Sequence, residues 1–379
     1  MPGRTASATD PGPENAALRS ASRDEFMPPK TDHGLLPPFW NSFSLAHRRV
    51  QEGGWSRQVN VETFPTSVEM AGVNMRLTAG GVRELHWHAA DEWALMLDGN
   101  CRLTAIDLDG SVYVQDVSAG DLWYFPRGIP HSLQGLGPDG CEFMLVFDDG
   151  TFSEENTTLV SDWLIHTPPD VLAKNWNVPV AAVAPLKNVP PDGRYIFQAP
   201  VPGPLEQDRQ AAAGTGRLPN RAFDFQMMRM KPQKRVRMGE VRIVDSTIFP
   251  ASANIAMAHV TLKPGGLREL HWHPNADEWQ YYIAGKGRMT LFYNKAQANT
   301  ADFAAGDVGY VPKTLGHYVE NTGDSDLVFI EMFKAPRYQD ISLNEWITHI
   351  PPELVMQHLG ISPQTLAAIP KSNFALLPE

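Results

Sequence analysis

Gly80-Gly81-Val82-Arg83-Glu84-Leu85-His86-Trp87-His88 is the stretch that decides the fold, because it occurs twice. It returns as Gly265-Gly266-Leu267-Arg268-Glu269-Leu270-His271-Trp272-His273, which places His271 185 residues after His86. Further on, Ala119-Gly120-Asp121 and His131 return as Ala305-Gly306-Asp307 and His317. A repeat of this length in a chain of 379 residues predicts two domains of the same kind.

Both halves contain short, alternating apolar stretches separated by glycine and proline. In the first half they are Val73 to Leu77, Trp93 to Leu97, Leu103 to Asp107, Leu122 to Phe125 and Phe143 to Phe147. Short strands at this density are typical of an all-β sandwich or barrel. Helical patterns occur at the ends of the halves, as in Pro168 to Trp176 and Pro351 to Leu359. We therefore predict an all-β fold of two jelly-roll barrels, each a double-stranded β-helix with a short helical tail.

The composition along the chain predicts four segments. Residues 1–55 form an N-terminal arm, of which the first 30 or so, rich in Ala, Ser, Pro and charge, are expected to be disordered. Residues 56–198 form the first barrel, 199–222 a linker and 223–379 the second barrel. The linker is rich in Pro, Gly and Ala and has little apolar periodicity.

Composition also limits the partners. The formal net charge is -11, from 43 acidic and 32 basic residues, and no basic run stands out, so a nucleic-acid partner is not expected. No apolar run reaches the roughly 18 residues that a membrane-spanning helix needs. No signal-peptide core precedes Lys30, which favours a soluble, cytoplasmic protein. Cys101 and Cys141 stand apart from any histidine cluster and are interpreted as packing residues.

The repeated histidines predict two metal sites. Side chains two apart on a strand share a face, so His86 and His88 point together into the barrel, where Glu92 and His131 can join them. The second half supplies the equivalent set His271, His273, Glu278 and His317. An isolated histidine is more often an ordinary core or surface residue. Six of the twelve histidines fall in these two sets, and this favours metal binding.

These residues carry a resemblance to a known family. The first cupin motif is matched twice, by Gly80, His86, His88, Glu92 and Gly99 and by Gly265, His271, His273, Glu278 and Gly285. The second motif is matched with two departures, Gly135 in place of the usual Asn and Thr314 in place of the usual Gly. From about Thr31 onward the chain resembles the bicupin oxalate decarboxylases.

The resemblance implies an activity and a metal. Such enzymes cleave oxalate to formate and carbon dioxide, a carbon–carbon lyase reaction, with one Mn(2+) per barrel and dioxygen as a cofactor that is not consumed. The carboxylate ligand suits manganese, whereas imidazole also suits zinc, iron, nickel and copper, so iron stays open. The family forms trimers and hexamers, which implies a homo-oligomer here.

Arg83 and Arg268 are candidate substrate-binding residues. Each lies three residues before the first histidine of its set, and a guanidinium can hold a carboxylate through two hydrogen bonds. Strict strand alternation would put Arg83 on the face opposite His86, so the role requires a bend or bulge, which Gly80 and Gly81 make plausible. A surface salt bridge is the alternative.

The first barrel carries a longer loop after its last strand. Phe147 to Trp163 spans 17 residues and Phe333 to Trp346 spans 14. The segment at 150–160 contains Ser153-Glu154-Glu155-Asn156, an acidic stretch of the kind that closes over a pocket. The resemblance implies that this loop is the active-site lid, that Glu154 is the proton donor and that the first site is the main catalytic one. The alternative for Glu154 is a solvated loop acid.

Two further points stay open. Glu331 lies in the apolar strand Leu327 to Phe333, where a carboxylate is costly unless it is paired or functional, and its role is either proton donor at the second site or support of the metal ligands. Glu155 and Asn156 replace the family's Asn and Ser, which leaves an oxalate oxidase releasing hydrogen peroxide as the alternative. A non-catalytic storage or sensor bicupin is more distant, because such proteins typically lose ligands in one barrel.

Overall fold

The chain folds into two antiparallel β-barrels, seen in a computed structural model that describes residues 13, 15–21, 36–191, 193–214, 221–294, 297–371 and 376–377. The strands of the first half are β1 (Trp40–Ser42), β2 (Arg49–Gln51), β3 (Gly54–Val59), β4 (Ala71–Leu77), β5 (Gly81–Trp87), β6 (Glu92–Ile106), β7 (Val112–Ser118), β8 (Leu122–Phe125), β9 (His131–Gly135), β10 (Cys141–Phe147), β11 (Thr158–Leu159) and β12 (Ile196–Gln198). Those of the second half are β13 (Asp224–Phe225), β14 (Lys234–Val236), β15 (Gly239–Val244), β16 (Ala256–Leu262), β17 (Leu267–Trp272), β18 (Glu278–Ala284), β19 (Lys286–Tyr293), β20 (Gln297–Ala304), β21 (Asp307–Val311), β22 (Gly316–Asn321), β23 (Leu327–Phe333), β24 (Ile341–Ser342) and β25 (Leu376–Leu377). The predicted all-β fold is confirmed.

In the second half the strands form two facing sheets. One has the order β1-β21-β18-β23-β16-β15-β14 and the other β20-β19-β22-β17-β24. Apolar side chains from both sheets fill the space between them, among them the fully buried Val260, Met289 and Phe329. The candidate metal ligands of this half lie in the barrel interior, at the ends of its central strands.

The longest strand, β6, corrects one detail of the prediction. The sequence predicts separate strands at Trp93 to Leu97 and Leu103 to Asp107, whereas the structure has one strand of 15 residues. Its first part pairs with β8 and β10 and its second part with β7 and β9, so it passes from one sheet to the other. Gly99 has a φ of +73° at the point where the strand bends, and the register with β10 shifts beside it. The polar segment around Gly99 is thus a bulge and not a turn.

Each half lends a strand to the other. β1, from the predicted N-terminal arm, pairs with β21 of the second barrel, and β13 pairs with β8 of the first. The Phe43 ring follows β1 and lies 5.8 Å from the Tyr281 ring in an edge-on contact, and both belong to a core that spans the two halves. The two barrels are therefore held together by backbone pairing as well as by packing.

The predicted arm and linker are partly ordered. A short helix occupies Ala16–Ala21, while most of the remaining first 35 residues lie outside the described part of the chain. Within the predicted linker, the helix Leu205–Ala213 packs on β7, where Arg209 donates to the Val114 carbonyl at 3.1 Å. This helix was missed because its nine residues offer no apolar periodicity.

Short helices follow each barrel, as predicted. They span Val160–Ile165, Pro169–Trp176 and Val180–Val183 in the first half and Leu343–Thr348, Pro352–Leu359 and Pro363–Ala368 in the second. Edge-on tryptophan pairs attach them, Trp87 with Trp163 at 5.6 Å and Trp272 with Trp346 at 5.8 Å between ring centroids. No helix in the described ranges combines the length and apolarity needed to cross a bilayer.

Two candidate metal centres

The first cluster of candidate ligands lies inside the first barrel, where three strands meet. β5 contributes His86 and is followed directly by His88, β6 begins at Glu92 and β9 begins at His131. All four side chains are buried, and their ligand atoms lie within 4.8 Å of one another. Alternation along β5 turns both histidines inward and leaves Leu85 57% exposed on the outer face.

Hydrogen bonds to the backbone orient each imidazole of this cluster. The Nδ1 atoms of His86, His88 and His131 lie 2.6, 2.7 and 2.8 Å from carbonyl oxygens two residues away in the chain. An Nδ1–H that donates to a carbonyl leaves Nε2 as an acceptor with a free lone pair. Three such lone pairs therefore face one enclosed point.

The carboxylate completes a set of acceptors that face one another. Glu92 Oε2 lies 3.1 Å from His88 Nε2 and 3.4 Å from His131 Nε2, while its Oε1 accepts a hydrogen bond from Trp123 Nε1 at 2.9 Å. Buried acceptors in mutual contact repel unless a cation lies between them, so this donor set fits a divalent metal ion.

The second cluster repeats this geometry in the second barrel with His271, His273, Glu278 and His317, all buried and again with ligand atoms within 4.8 Å. The Nε2 atoms of its three histidines and Oε2 of its glutamate have no hydrogen-bond partner among the described residues. Its glutamate is held by Gln280, which donates to Oε1 at 2.6 Å, where the first barrel uses a tryptophan. Four buried unpaired acceptors around one point make the same case for a metal ion.

A bulge brings each predicted arginine to its metal centre. The pairing of β5 with β9 is irregular between Arg83 and His86, and that of β17 with β22 between Arg268 and His271. The side chain after the bulge changes face, so arginine and histidine both point inward. The bulge lies between the arginine and the histidine, and not at Gly80-Gly81 as the sequence suggested. Both arginines are buried, at 1% and 0% exposure, which makes the surface salt bridge interpretation wrong.

The lid acid lies against the first arginine. Glu154 begins a one-turn 3-10 helix that ends at Asn156, and it is only 7% exposed. Its Oε2 lies 3.4 Å from Arg83 Nη2 and has no hydrogen-bond partner among the described residues. Burial raises the pKa of the Glu154 carboxyl, against the opposing charge of Arg83. Glu154 is therefore not a solvated loop acid.

Gln58 on β3 holds the predicted lid segment against the first barrel. The Gln58 Oε1 accepts from the Glu154 backbone N–H at 2.9 Å, and its Nε2 donates to Ser153 Oγ at 3.2 Å. Ser153 in turn caps the one-turn helix by accepting from the Glu155 N–H. One amide side chain thus binds both the side chain of Ser153 and the backbone of Glu154.

In the second barrel the arginine is paired differently. Arg268 Nη2 lies 2.7 Å from Asp340 Oδ2 and donates to the Tyr338 hydroxyl at 2.8 Å. Glu331 on β23 lies 3.8 Å from Arg268 Nε and is fully buried. Burial, together with the charge of Glu278, raises the pKa of Glu331 to about 8, against the attraction of Arg268. Neither carboxylate oxygen of Glu331 has a hydrogen-bond partner among the described residues.

The two halves match a described protein family. The family named Cupin matches residues 33–183 and 228–367. The chain belongs to the cupin family. It is 47% identical over 349 residues to the oxalate decarboxylase of Bacillus subtilis (strain 168), a match that covers 92% of this cupin and 89% of that protein. A probable oxalate decarboxylase of Arthroderma benhamiae is 40% identical over 91% of this cupin and 84% of its own length.

Solved structures extend the match to both barrels. A structure of Bacillus subtilis oxalate decarboxylase, studied for its Mn(II) centres, has a TM-score of 0.91 and 45% identity to this cupin. It covers 96% of this chain, and this chain covers 95% of it. The resemblance to the bicupin oxalate decarboxylases is therefore confirmed over the full bicupin architecture.

The two centres differ in the acid that contacts the arginine. This acid comes from the loop after β10 in the first barrel and from the loop after β23 in the second. In each barrel of this cupin the loop brings one acid to the arginine, Glu154 to Arg83 and Asp340 to Arg268. Sequence reasoning missed Asp340 and its neighbour Tyr338 because the loops differ in length and cannot be aligned residue by residue. The shared signal was an acidic residue after the last barrel strand in both halves.

One departure from the cupin motif leaves a strained turn. Thr314 has a φ of +71°, and its N–H donates to the His273 carbonyl as that of Gly128, at φ +74°, does to His88. A left-handed backbone costs a β-branched residue about 1–2 kcal/mol. Glycine has more conformational freedom in the unfolded chain, which offsets about 0.5–1 kcal/mol of this gain in stability. Thr314→Gly should therefore stabilise the protein by about 0.5–1 kcal/mol, measured as a raised midpoint of thermal unfolding.

Gly128→Thr provides the matched control. Among the described residues no atom lies within 4 Å of a Cβ added at Gly128, so this change tests backbone strain without a clash. It should lower the unfolding midpoint by about as much as Thr314→Gly raises it. Equal midpoints for both variants and the parent protein would show that the two turns tolerate a left-handed threonine without cost.

The two centres predict a metal stoichiometry. After loading with Mn(2+) and removal of free ions, elemental analysis should find two ions per chain. Glu92→Gln and Glu278→Gln should each reduce this to about one, because the amide removes the only anionic ligand of one site and keeps its shape. The exposed Glu62→Gln should retain two ions. Retention of both ions in the ligand variants would contradict the assignment.

Proposed function

We propose that this cupin is an oxalate decarboxylase, which converts oxalate to formate and carbon dioxide in a carbon–carbon lyase reaction at the first metal centre. The observation that carries the proposal is the buried carboxyl of Glu154, 3.4 Å from Arg83 and beside the ligand cluster. The relatives at 47% and 40% identity, named as established and probable oxalate decarboxylases, support the substrate.

Arg83 is placed to bind the substrate. Its guanidinium is fully enclosed and its Nη1 lies 3.4 Å from the Tyr195 carbonyl, which fixes the side chain next to the ligand cluster. A guanidinium so held can accept one oxalate carboxylate and stabilise charge that develops on it. His86, His88, Glu92 and His131 would hold the metal ion, Mn(2+) by analogy with the Mn(II) centres of the relative, and this ion with dioxygen would supply the one-electron chemistry that weakens the carbon–carbon bond.

Glu154 is placed to deliver the proton. When the carbon–carbon bond breaks, carbon dioxide leaves and the remaining carbon must gain one proton to become formate, so oxalate dianion plus one proton gives formate and carbon dioxide. Because burial raises its pKa, the Glu154 carboxyl stays protonated to a higher pH than an exposed glutamate. The activity is therefore expected at mildly acid pH and declines as pH rises through the raised pKa.

The closed lid favours decarboxylation over oxidation. Gln58 and Ser153 hold Glu154 inside the pocket, so a proton donor is next to the reacting carbon and bulk water is kept out. An oxidase has no need of a proton at carbon. The acid replacing the family's Asn, Glu155, is 73% exposed and pairs with Arg49, so this departure leaves the contact between Glu154 and Arg83 in place.

The second centre has a supporting role in this proposal. Asp340 and Tyr338 both bind Nη2 of Arg268, so this end of the guanidinium is occupied by protein contacts and not by substrate. Glu331, whose pKa burial raises to about 8, then supports the second site as a buried and largely neutral acid beside Arg268. The assembly of copies into a trimer or hexamer and a cytoplasmic location stay predictions.

The direct test is product analysis. Manganese-loaded protein is incubated with oxalate at mildly acid pH, and formate and hydrogen peroxide are measured in the same tube. About one formate per oxalate consumed supports the decarboxylase. Peroxide with little formate would identify an oxidase, and the absence of both products would reject the oxalate assignment while the metal sites stand on their own measurement.

A further inference from the structure

A small cavity of about 140 Å³ lies beside the lid residues Glu154 and Glu155. Its lining includes three basic side chains, His47, Arg49 and Arg57, together with the two lid acids Glu154 and Glu155. This volume is well below the roughly 300–1,000 Å³ of pockets for drug-sized ligands, so it suits a very small molecule. The cavity is separate from the metal ligands, none of which lines it.

Tyr195 connects this cavity to the first metal centre. Its ring centroid lies 3.8 Å from the Arg49 guanidinium carbon and 4.0 Å from that of Arg83. Arg49 lines the cavity and Arg83 does not. The Tyr195 ring thus contacts both the cavity arginine and the arginine beside the metal centre, and both gain cation–π attraction.

Tyr195 is held firmly in this position. Its hydroxyl lies 3.0 Å from Ser56 Oγ, its N–H donates to Glu84 Oε2 at 2.6 Å, and the side chain is 1% exposed. Its φ of +56° is unusual for an aromatic residue, and such strain persists where surrounding contacts impose it. The spacing of the two arginines is thus built into the fold.

The two lid acids match the two arginines. Glu154 lies 3.4 Å from Arg83, and Glu155 Oε1 lies 3.0 Å from Arg49 Nη1. The inner pair is buried, whereas in the outer pair Arg49 is 26% and Glu155 73% exposed. An exposed ion pair contributes only about 0–1 kcal/mol, so a dissolved anion can displace Glu155 from Arg49.

The charge of the whole chain makes such a site useful. At a net charge of -11, the protein repels an anionic substrate at long range. Arg57 donates to the Asn74 side chain and to the Phe43 carbonyl, two neutral acceptors. Arg49 and Arg57 thus bring two positive charges to one cavity beside the lid.

We propose that this cavity is a second anion site, in which a small dicarboxylate binds to Arg49 by displacing Glu155 before it passes to Arg83. The identity of the dicarboxylate as oxalate rests on the proposed function. Displacement releases the lid from β2 at the moment when substrate is present, and the two guanidiniums that contact Tyr195 then form successive binding positions.

Two substitutions distinguish an anion site from a simple latch. Arg49→Met removes the cation, and Glu155→Gln removes its competitor, but both break the same ion pair. If the pair only held the lid closed, both changes would affect turnover in the same direction. As an anion site, Arg49→Met should lower kcat/KM for oxalate about tenfold through a higher KM, the size of one charge-assisted hydrogen bond, while Glu155→Gln should raise it a few-fold.

Arg48→Met is the matched control, because Arg48 is the exposed neighbour in sequence and its guanidinium lies over Trp55 at 5.8 Å, away from the lid. It should leave kcat/KM within twofold of the parent value. Changes of the same sign in the Arg49 and Glu155 variants, or an equal loss in the Arg48 variant, would overturn the proposal.

Calorimetric titration with oxalate keeps this test independent of turnover. If the parent protein makes no formate, the proposed function fails, yet oxalate binding can still be compared between the parent and Arg49→Met. About tenfold weaker binding in the variant supports the site whatever the reaction. Equal binding in the two proteins rejects it.

Discussion

Glu154→Gln is expected to lower the rate of formate production by about 100- to 10,000-fold, the range that a positioned general acid contributes. The amide keeps the shape of the side chain and its place 3.4 Å from Arg83 but cannot supply a proton to carbon. The rate is measured as formate released per manganese ion under saturating oxalate. Because Glu154 contributes no ligand atom to the cluster, the metal content should stay at two ions per chain.

Glu155→Gln is the matched control for this loss. It changes the next residue in the same one-turn helix from acid to amide, but this side chain is 73% exposed and faces away from the ligand cluster. Its kcat should stay within a few-fold of the parent value. Equal formate production by Glu154→Gln and the parent protein would rule out Glu154 as the donor, and accumulation of hydrogen peroxide in the Glu154 variant would show that oxidation replaces protonation when no acid is available.

The ligand clusters could be predicted because they depend on rules that are local in sequence. Side chains two residues apart on a strand point to the same face, which predicts that His86 and His88 converge. Their repetition as His271 and His273 argues against a chance occurrence of the pattern. The same rule failed for Arg83, since the bulge that turns it inward arises from pairing with β9. A bulge between two strands is a property of the pair and leaves little trace in one of them.

Contacts between distant segments were beyond the sequence. Gln58 hydrogen-bonds to Ser153, which lies 95 residues later in the chain, and β1 pairs with a strand of the second barrel. No periodicity connects such segments, because their meeting depends on how two barrels pack. Asp340 was hidden for a related reason, since the loop that carries it is shorter than its counterpart in the first barrel.

Arg83→Met and Arg268→Met should have different effects, although the two residues occupy equivalent positions. Arg83→Met is expected to lower kcat/KM for oxalate by about 100- to 1,000-fold, as loss of a buried donor to developing charge does elsewhere. It leaves Glu154, whose pKa is already raised by burial and which can remain neutral once the cation is gone. The unfolding midpoint should therefore change little in this variant.

Arg268→Met should instead destabilise the second barrel by about 3–5 kcal/mol, because it strands Asp340 as a buried unpaired carboxylate. Thermal unfolding and elemental analysis measure this, and the loss of formate should follow the loss of folded protein. Replacing both partners, Arg268→Met with Asp340→Leu, should recover part of the stability, since the carboxylate that lies 2.7 Å from Arg268 Nη2 is then removed with it. A stable Arg268→Met protein that loses formate production would contradict this account, because the loss could not then follow from unfolding and the second centre would have to take part in the reaction.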